Sequence, residues 1–241
     1  MIDISLNSAC SREIRVLGDE KTPVIVIDDP ILSTDELVQY ASQQADFSSD
    51  NEFLYPGIRA ELPEEYARGL GPDLIALISH VYNTPRSYKP HLIHKLFSLV
   101  TEQPEDLGLL QRVPHFDNRS PYYFATVHYL GSEDHGGTGF FRHRPTQYER
   151  ITDDRYESYV QAANSHMEAN GVPAEKYIDG PDDHYELIGE IEHRPNRLAI
   201  YPSNLLHSGL IRPDRDIDKN PISGRLTANL FLFFTDLVRR P

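Results

Sequence analysis

The chain has 241 residues, 39% of them hydrophobic and 25% charged, which suits a globular protein with a substantial core and excludes a disordered chain. A formal net charge of −14 argues against a nucleic-acid backbone or an anionic membrane as the main partner. The one cysteine, Cys10, excludes an internal disulfide framework and a thiolate metal cluster. No apolar run approaches the roughly eighteen residues of a membrane span. Met1-Ile2-Asp3-Ile4-Ser5 lacks the regions of a secretory signal, so the expected location is cytoplasmic.

Up to about Thr22 the chain is polar and weakly patterned. Val24-Ile25-Val26-Ile27 reads as a buried strand ending at Asp28-Asp29-Pro30, and Ser33-Thr34-Asp35-Glu36 can cap a helix running to about Ala45. Pro63 to Ala67 can start a short helical turn, which Gly69-Leu70-Gly71-Pro72 interrupts; Asp73 to Val81 then forms a clearer helix. From Leu92 the character changes. Leu92–Val100, Leu109–Val113, Tyr122–Leu130, Gly139–Arg142, Tyr185–Glu192, Leu198–Tyr201 and Leu226–Phe234 all read as strands. A helical insertion over about 146–170, stopped by Asn170-Gly171, is as consistent with a lid as with a surface decoration. The expected fold is one domain over 1–241, mainly β with flanking helices: helical support mainly in 30–85, and a sandwich or barrel core over about 90–235.

The chemistry gathers at Pro114-His115-Phe116-Asp117-Asn118. On extended backbone, residues two apart point the same way, so His115 and Asp117 share a face. A histidine from elsewhere would complete the two-His, one-carboxylate set that non-haem Fe(II) oxygenases use while keeping positions open. His207, after the strand that ends at Pro202, is the leading third ligand. His128, His135, His143 and the pair His91 and His94 are treated as decoys, the last pair having a spacing better suited to a helix. Beyond His207, alternation puts Arg225, Thr227 and Asn229 on one face with Phe231 and Phe233, and Leu226, Ala228 and Leu230 on the other. A polar pocket fits that first face better than a solvated one, because water would otherwise meet two aromatics. Arginine there offers a planar fork for a carboxylate, with Thr227 or Asn229 adding hydrogen bonds. Gly136-Gly137-Thr138-Gly139 is a flexible turn or a substrate-facing loop, and not a phosphate loop.

In order, His115-Phe116-Asp117-Asn118, Thr126 to Leu130, Gly136 to Phe140, His207 and Gly224-Arg225 resemble the Fe(II)/2-oxoglutarate-dependent dioxygenases, most of all their prolyl-hydroxylase-type branch. The match spans roughly residues 22 to 235. It implies a double-stranded β-helix (jelly-roll) core, with His115, Asp117 and His207 as iron ligands and Arg225 on the distal carboxylate of 2-oxoglutarate. Tyr129 matches a tyrosine that often assists that arginine. The long His207-to-Arg225 interval leaves Arg212 and Arg215 as lesser candidates for the clamp. The implied activity couples oxidative decarboxylation of 2-oxoglutarate, with O2, to hydroxylation of an amino acid, peptide or small metabolite. The related halogenases carry a small residue in place of Asp117, which favours the hydroxylase. A metal-binding jelly-roll protein without catalysis and a divalent-metal hydrolase are the alternatives, and a hydrolase has no general need for a carboxylate clamp at Arg225. Substrate identity and oligomeric state are not readable from the sequence.

Overall fold

A computed structural model describes residues 4–49, 55–131 and 134–236. In chain order the elements are β1 (Ser11–Leu17), β2 (Thr22–Asp28), α1 (Asp35–Gln43), β3 (Ser48–Ser49), β4 (Gly57–Glu61), α2 (Glu64–Val81), β5 (Lys89–Val100), β6 (Tyr123–Tyr129), β7 (Thr138–His143), α3 (Asp153–Asn170), β8 (Tyr185–Ile191), β9 (Arg197–Pro202), β10 (His207–Gly209), α4 (Pro213–Asp216) and β11 (Thr227–Thr235). The strands form two antiparallel sheets: a long one ordered β1-β2-β9-β6-β11-β5-β4-β3, and a short one ordered β10-β7-β8. They face each other as a jelly roll, with helices against the outer sides.

Alternation decides which side chains go where. On the long sheet Ile25, Ile27, Leu198, Ile200, Ala228, Leu230, Leu232 and Phe97 point outward and are sealed by Leu37 and Ala41 of α1 and by Tyr66, Leu70, Leu74 and Ile78 of α2. The four α2 residues recur every fourth position, one face of a single helix. That face explains a departure from expectation: α2 runs unbroken through Pro72 rather than stopping at Gly69-Leu70-Gly71-Pro72. Burial along the whole stripe outweighs the one backbone hydrogen bond that Pro72 removes. Gly69 has its own reason to be there, since a Cβ would lie 1.8 Å from the Ile4 carbonyl oxygen.

Facing the other way, Val24, Val26, Ala199, Tyr201, Ala125, Val127 and Tyr129 meet Phe140 and Ile191 of the short sheet. The insertion helix α3 covers the outer side of that short sheet, where Tyr159 joins Phe141, Tyr185 and Leu206. A second correction concerns residues 109–113. Leu109–Gln111 is a 3-10 turn, closed by the Gln111 side chain on the Gly108 amide at 2.7 Å, and no regular strand follows it. Among the described residues no helix is long and apolar enough to cross a membrane.

Candidate metal and oxo-acid site

The stretch after the 3-10 turn is held by backbone pairing. His115 N donates to His207 O, and His207 N to His115 O, both at 2.9 Å, while Asp117 N donates to Ser203 O at 2.9 Å. This docks His-x-Asp beside the start of β10 with its odd residues facing inward. Between them, Phe116 turns outward to meet Tyr156 and Tyr159 of α3, each with ring centroids 6.2 Å away. The insertion therefore braces the ligand segment from behind, which is not the position of a lid. The turn expected at Asn118 forms, with Asn118 Oδ1 accepting from Ser120 N at 2.9 Å.

His115, Asp117 and His207 come together: one potential ligand atom from each lies within 4.8 Å of the others. His115 Nε2 is 3.7 Å from Asp117 Oδ1, and His207 Nε2 is 3.6 Å from Asp117 Oδ2. Ligand bonds of about 2.1 Å at right angles would place such atoms about 3 Å apart, so a small inward movement closes the set on an ion. The Nδ1–H of His207 donates to Leu205 O at 2.8 Å, which leaves the Nε2 lone pair for a metal. Enclosure by protein, and then the neighbouring His207, hold the His115 imidazole below its usual pKa. Its side chain nevertheless keeps 53% of its area open, against 22% for Asp117 and 6% for His207. A ligand deep in the protein yet open to solvent marks the approach to the set. Two surface clefts of about 300 Å³ lie elsewhere, one along Pro173–His184 and one beside α1, and neither includes a triad residue.

Arg225 lies two residues before β11 and is 5% exposed. Its Nε donates to Gly136 O at 2.7 Å and its Nη2 to Gly137 O at 2.9 Å. The glycine run is thus the seat of the guanidinium. A Cβ at Gly136 would lie 1.7 Å from Leu210 O, and one at Gly137 2.2 Å from Ile191 O, so only glycine lets these carbonyls reach in. Of five guanidinium N–H groups, two are spent on carbonyls, and among the described residues none bonds a carboxylate. Asp216 feels the Arg225 charge but accepts from His135 Nδ1 at 3.0 Å and from the Gly136 and Arg212 amides. Burial pushes the Asp216 carboxyl up, and those hydrogen bonds more than offset it, leaving the pKa below the usual value.

Tyr129 lies under Arg225, the guanidinium carbon 5.6 Å from its ring centroid, and its hydroxyl pairs with Thr138 Oγ1 at 2.7 Å. Thr227 donates to Asn229 Oδ1 at 2.9 Å, and Asn229 Nδ2 to Thr126 O at 3.3 Å, so these two largely serve each other and the strand. Arg212 and Arg215 are drawn to Asp134 on the surface, at 3.1 and 2.9 Å. The other histidines stay apart from the triad: His128 bonds Tyr66, His143 bonds Thr146, His135 bonds Asp216, and His91 and His94 lie on strand β5 rather than a helix.

Several neighbours escape a reading by sequence alone. Tyr201 packs edge-on against His207, with centroids 4.7 Å apart; the alternation Arg197, Ala199, Tyr201 would have aimed it inward. Gly209 shares the inward face of β10 with His207, and a Cβ there would meet Ile211 at 3.0 Å and Arg225 Nη2 at 3.8 Å. A longer side chain there would press on Ile211 and reach the guanidinium. Around Arg225, Tyr55 Oη, His135 Nε2 and His193 Nε2 are buried without a partner among the described residues. Thr22 and Asn204 carry other such atoms away from the arginine. Burial, then the Arg225 charge, push the His193 imidazole down to about 3.

The family model for a family of unknown function (DUF6445) matches residues 8–232. The chain belongs to this family. No curated protein matches the DUF6445 chain. Among solved structures it is similar to HygX from Streptomyces hygroscopicus with nickel and 2-oxoglutarate bound, at 14% identity and a TM-score of 0.44, over 89% of this chain and 84% of that one. An N-substituted L-amino acid dioxygenase from Burkholderia ambifaria AMMD is similar at 12% identity and a TM-score of 0.36, over 90% and 82% of the two chains. Both likenesses are loose, and the reading of this DUF6445 member rests on its own residues.

Proposed function

We propose that this protein is a metal-dependent oxygenase that uses 2-oxoglutarate and O2, with Fe(II) on His115, Asp117 and His207, and hydroxylates a small molecule. One observation carries the reading: two histidines and a carboxylate, open to solvent on the His115 side, share an inner face with a buried arginine that has no carboxylate bonded to it among the described residues. Gly209, on the strand that carries His207, approaches the guanidinium closely, since a Cβ there would lie 3.8 Å from Arg225 Nη2. Asp216 senses this guanidinium but accepts its hydrogen bonds from His135 and from backbone amides, so the free N–H groups of Arg225 suit an anion that arrives from outside. The residues fit both groups. Neutral imidazoles and one carboxylate suit a divalent ion and leave positions for a chelating oxo acid. The remaining N–H groups of Arg225, with Tyr55 Oη and His193 Nε2 nearby, suit the distal carboxylate.

When bound, iron with 2-oxoglutarate supplies the oxidising chemistry. The protein's own work is positional. Leu205 O fixes the His207 tautomer, Gly136 and Gly137 hold Arg225 level over Tyr129, and Phe116 anchors the ligand segment to α3. Tyr201, buried and so held protonated well above its usual pKa, walls the set without adding charge. A metal-only binding protein or a hydrolase leaves the arrangement at Arg225 without a purpose.

The test is to add Fe(II) and then 2-oxoglutarate to the metal-free protein without oxygen, and to record the visible spectrum. A charge-transfer band that is lost in Arg225→Gln is the expected result. Iron binding with no band would sink the oxygenase in favour of the other two readings.

A further inference from the structure

The long sheet ends on one side at β1, and there its edge is open. β1 pairs with β2 over seven consecutive residues, from Ser11 opposite Asp28 to Leu17 opposite Thr22, without a bulge. Its other edge meets no strand among the described residues, and none of their backbone groups bonds residues 11–17 from outside the β1–β2 ladder. Ser11, Arg12, Glu13, Ile14 and Val16 are exposed, Ile14 to 53% and Val16 to 58%. The opposite edge of the sheet, β3, is only two residues long. Long regular edges are normally blunted by proline, a bulge or a lysine, because their free N–H and C=O groups template another strand. β1 has none of these. Its charged residues are Arg12, Glu13 and Arg15, and whether they repel a partner depends on what that partner is.

Register fixes the two faces of β1. Arg12, Ile14 and Val16 stand opposite Ile27, Ile25 and Pro23 and so share the outward face, while Glu13, Arg15 and Leu17 stand opposite Val26, Val24 and Thr22 on the inward face. There Glu13 Oε2 accepts from Arg15 Nε at 3.0 Å, and Leu17 lies against Gly189 of β8. A second copy of this chain can join such an edge through a two-fold axis perpendicular to the sheet, which makes the new pair antiparallel and keeps each face on its own side. Because side chains alternate, that axis must pass at a residue, which then stands opposite its own copy. An axis at Glu13 sets glutamate on glutamate, and one at Arg12 or Arg15 sets arginine on arginine. Axes at Ser11, Val16 or Leu17 leave most of the strand beyond the overlap. An axis at Ile14 pairs all seven residues: isoleucine meets isoleucine, Glu13 meets the partner's Arg15, and Arg12 lays its aliphatic stem over the partner's Val16.

We propose that β1 is an interface between two copies of this chain, joined edge to edge about Ile14 so that the long sheet continues from one protomer into its partner. The pairing covers the two exposed aliphatic side chains and gives the free edge its hydrogen bonds. It also closes a ring of four charges in which each Glu13 lies between its own Arg15 and the partner's Arg15. In a chain of net charge −14, this strand carries two arginines and one glutamate, so the two edges meet without the repulsion that the acidic surface imposes elsewhere. Nothing in this pairing depends on the triad or on Arg225.

The test is sedimentation velocity on the full chain at concentrations up to about 200 μM, a range that suits an interface of small area. A species of twice 27.6 kDa is expected. Glu13→Arg and Arg15→Glu each set like charges across both symmetric pairs, and each should weaken self-association roughly 30-fold. Mixing these two variants sets two arginines against two glutamates, so a mixed dimer should form where neither variant dimerises alone. Ile14→Lys, which puts two ammonium groups face to face on the axis, should also give monomers and leaves the bond from Arg15 to Glu190 O untouched. Thermal melts followed by circular dichroism show that each variant is folded. A wild type that stays monomeric overturns the proposal. So does a dimer that survives Glu13→Arg and Ile14→Lys, which would place the interface elsewhere, or a mixture no more associated than its components.

Discussion

On the outer face of the long sheet His128 is fully buried, and both ring nitrogens are occupied: Nε2 donates to Asn196 Oδ1 at 3.0 Å, and Nδ1 accepts from Tyr66 Oη at 2.9 Å. Thr126 on the same face accepts from Leu230 N at 2.9 Å. On the inner face the arrangement is reversed. Among the described residues His193 Nε2 and Tyr55 Oη are buried without partners, and no carboxylate bonds Arg225. A buried polar group costs stability unless it is paired. Where every group is paired, polarity serves the fold; where several are left unpaired around one charge, the fold bears a cost that only a ligand offsets. Sequence alone cannot separate these cases, because whether a histidine is paired depends on which distant elements the fold brings to it.

Substitution can break this contrast, and the largest effect is expected at the triad. Asp117→Ala or His207→Ala should abolish metal binding and 2-oxoglutarate turnover while leaving the thermal midpoint near that of the wild-type apoprotein. Retained turnover in either variant would refute the ligand assignment. Arg225→Gln should keep the metal but weaken 2-oxoglutarate by about 100-fold, the scale for loss of one buried charge partner; titration of the anaerobic iron complex measures it. Gly209→Val should crowd Ile211 and the Arg225 guanidinium and weaken the oxo acid roughly tenfold with metal affinity unchanged. Equal oxo-acid affinity in that variant would show that the oxo acid does not depend on the glycine beside Arg225.

The outer face should respond only in stability. His128→Leu strands Tyr66 Oη and Asn196 and should cost about 1–3 kcal/mol in urea melts, with oxo-acid affinity intact. Burial holds the His128 pKa down to about 4 in the folded protein, against 6.5 ordinarily. The unfolded chain therefore binds the proton first, and stability falls as pH drops from about 6.5 towards 4, by roughly 3 kcal/mol at the limit. His128→Leu should make that acid limb shallower, and an unchanged slope would assign the loss to other groups.

Much of the fold was legible because alternation is a strong signal wherever one strand face is sealed. β2, β5, β6, β7, β8, β9 and β11 all fall within a few residues of their expected ranges. β1 was missed because it is an edge strand with most of its residues exposed, so no apolar period marks it. β10 is three residues long and shows no period at all. Residues 109–113 misled for the opposite reason: Leu109, Leu110 and Val113 are apolar enough for a strand, yet the first two are exposed on a 3-10 turn. For the site, the order His115, Asp117, His207, Arg225 was visible along the chain. Tyr201 and Gly209 were not, since their relevance comes from sheet order and register, which bring together residues far apart in sequence.

The reciprocal backbone bonds between His115 and His207 bear on how the molecule assembles. The two imidazoles belong to segments that meet only once β6 to β9 lie between them in place, so the pair is a contact of high sequence separation. Such contacts form late, after the loop-closure entropy of the intervening chain has been met. An ion would then find its ligands already spaced by the sheet and have little part in nucleating the fold. Refolding rates should be indifferent to divalent metal, while unfolding of the loaded protein should be slowed.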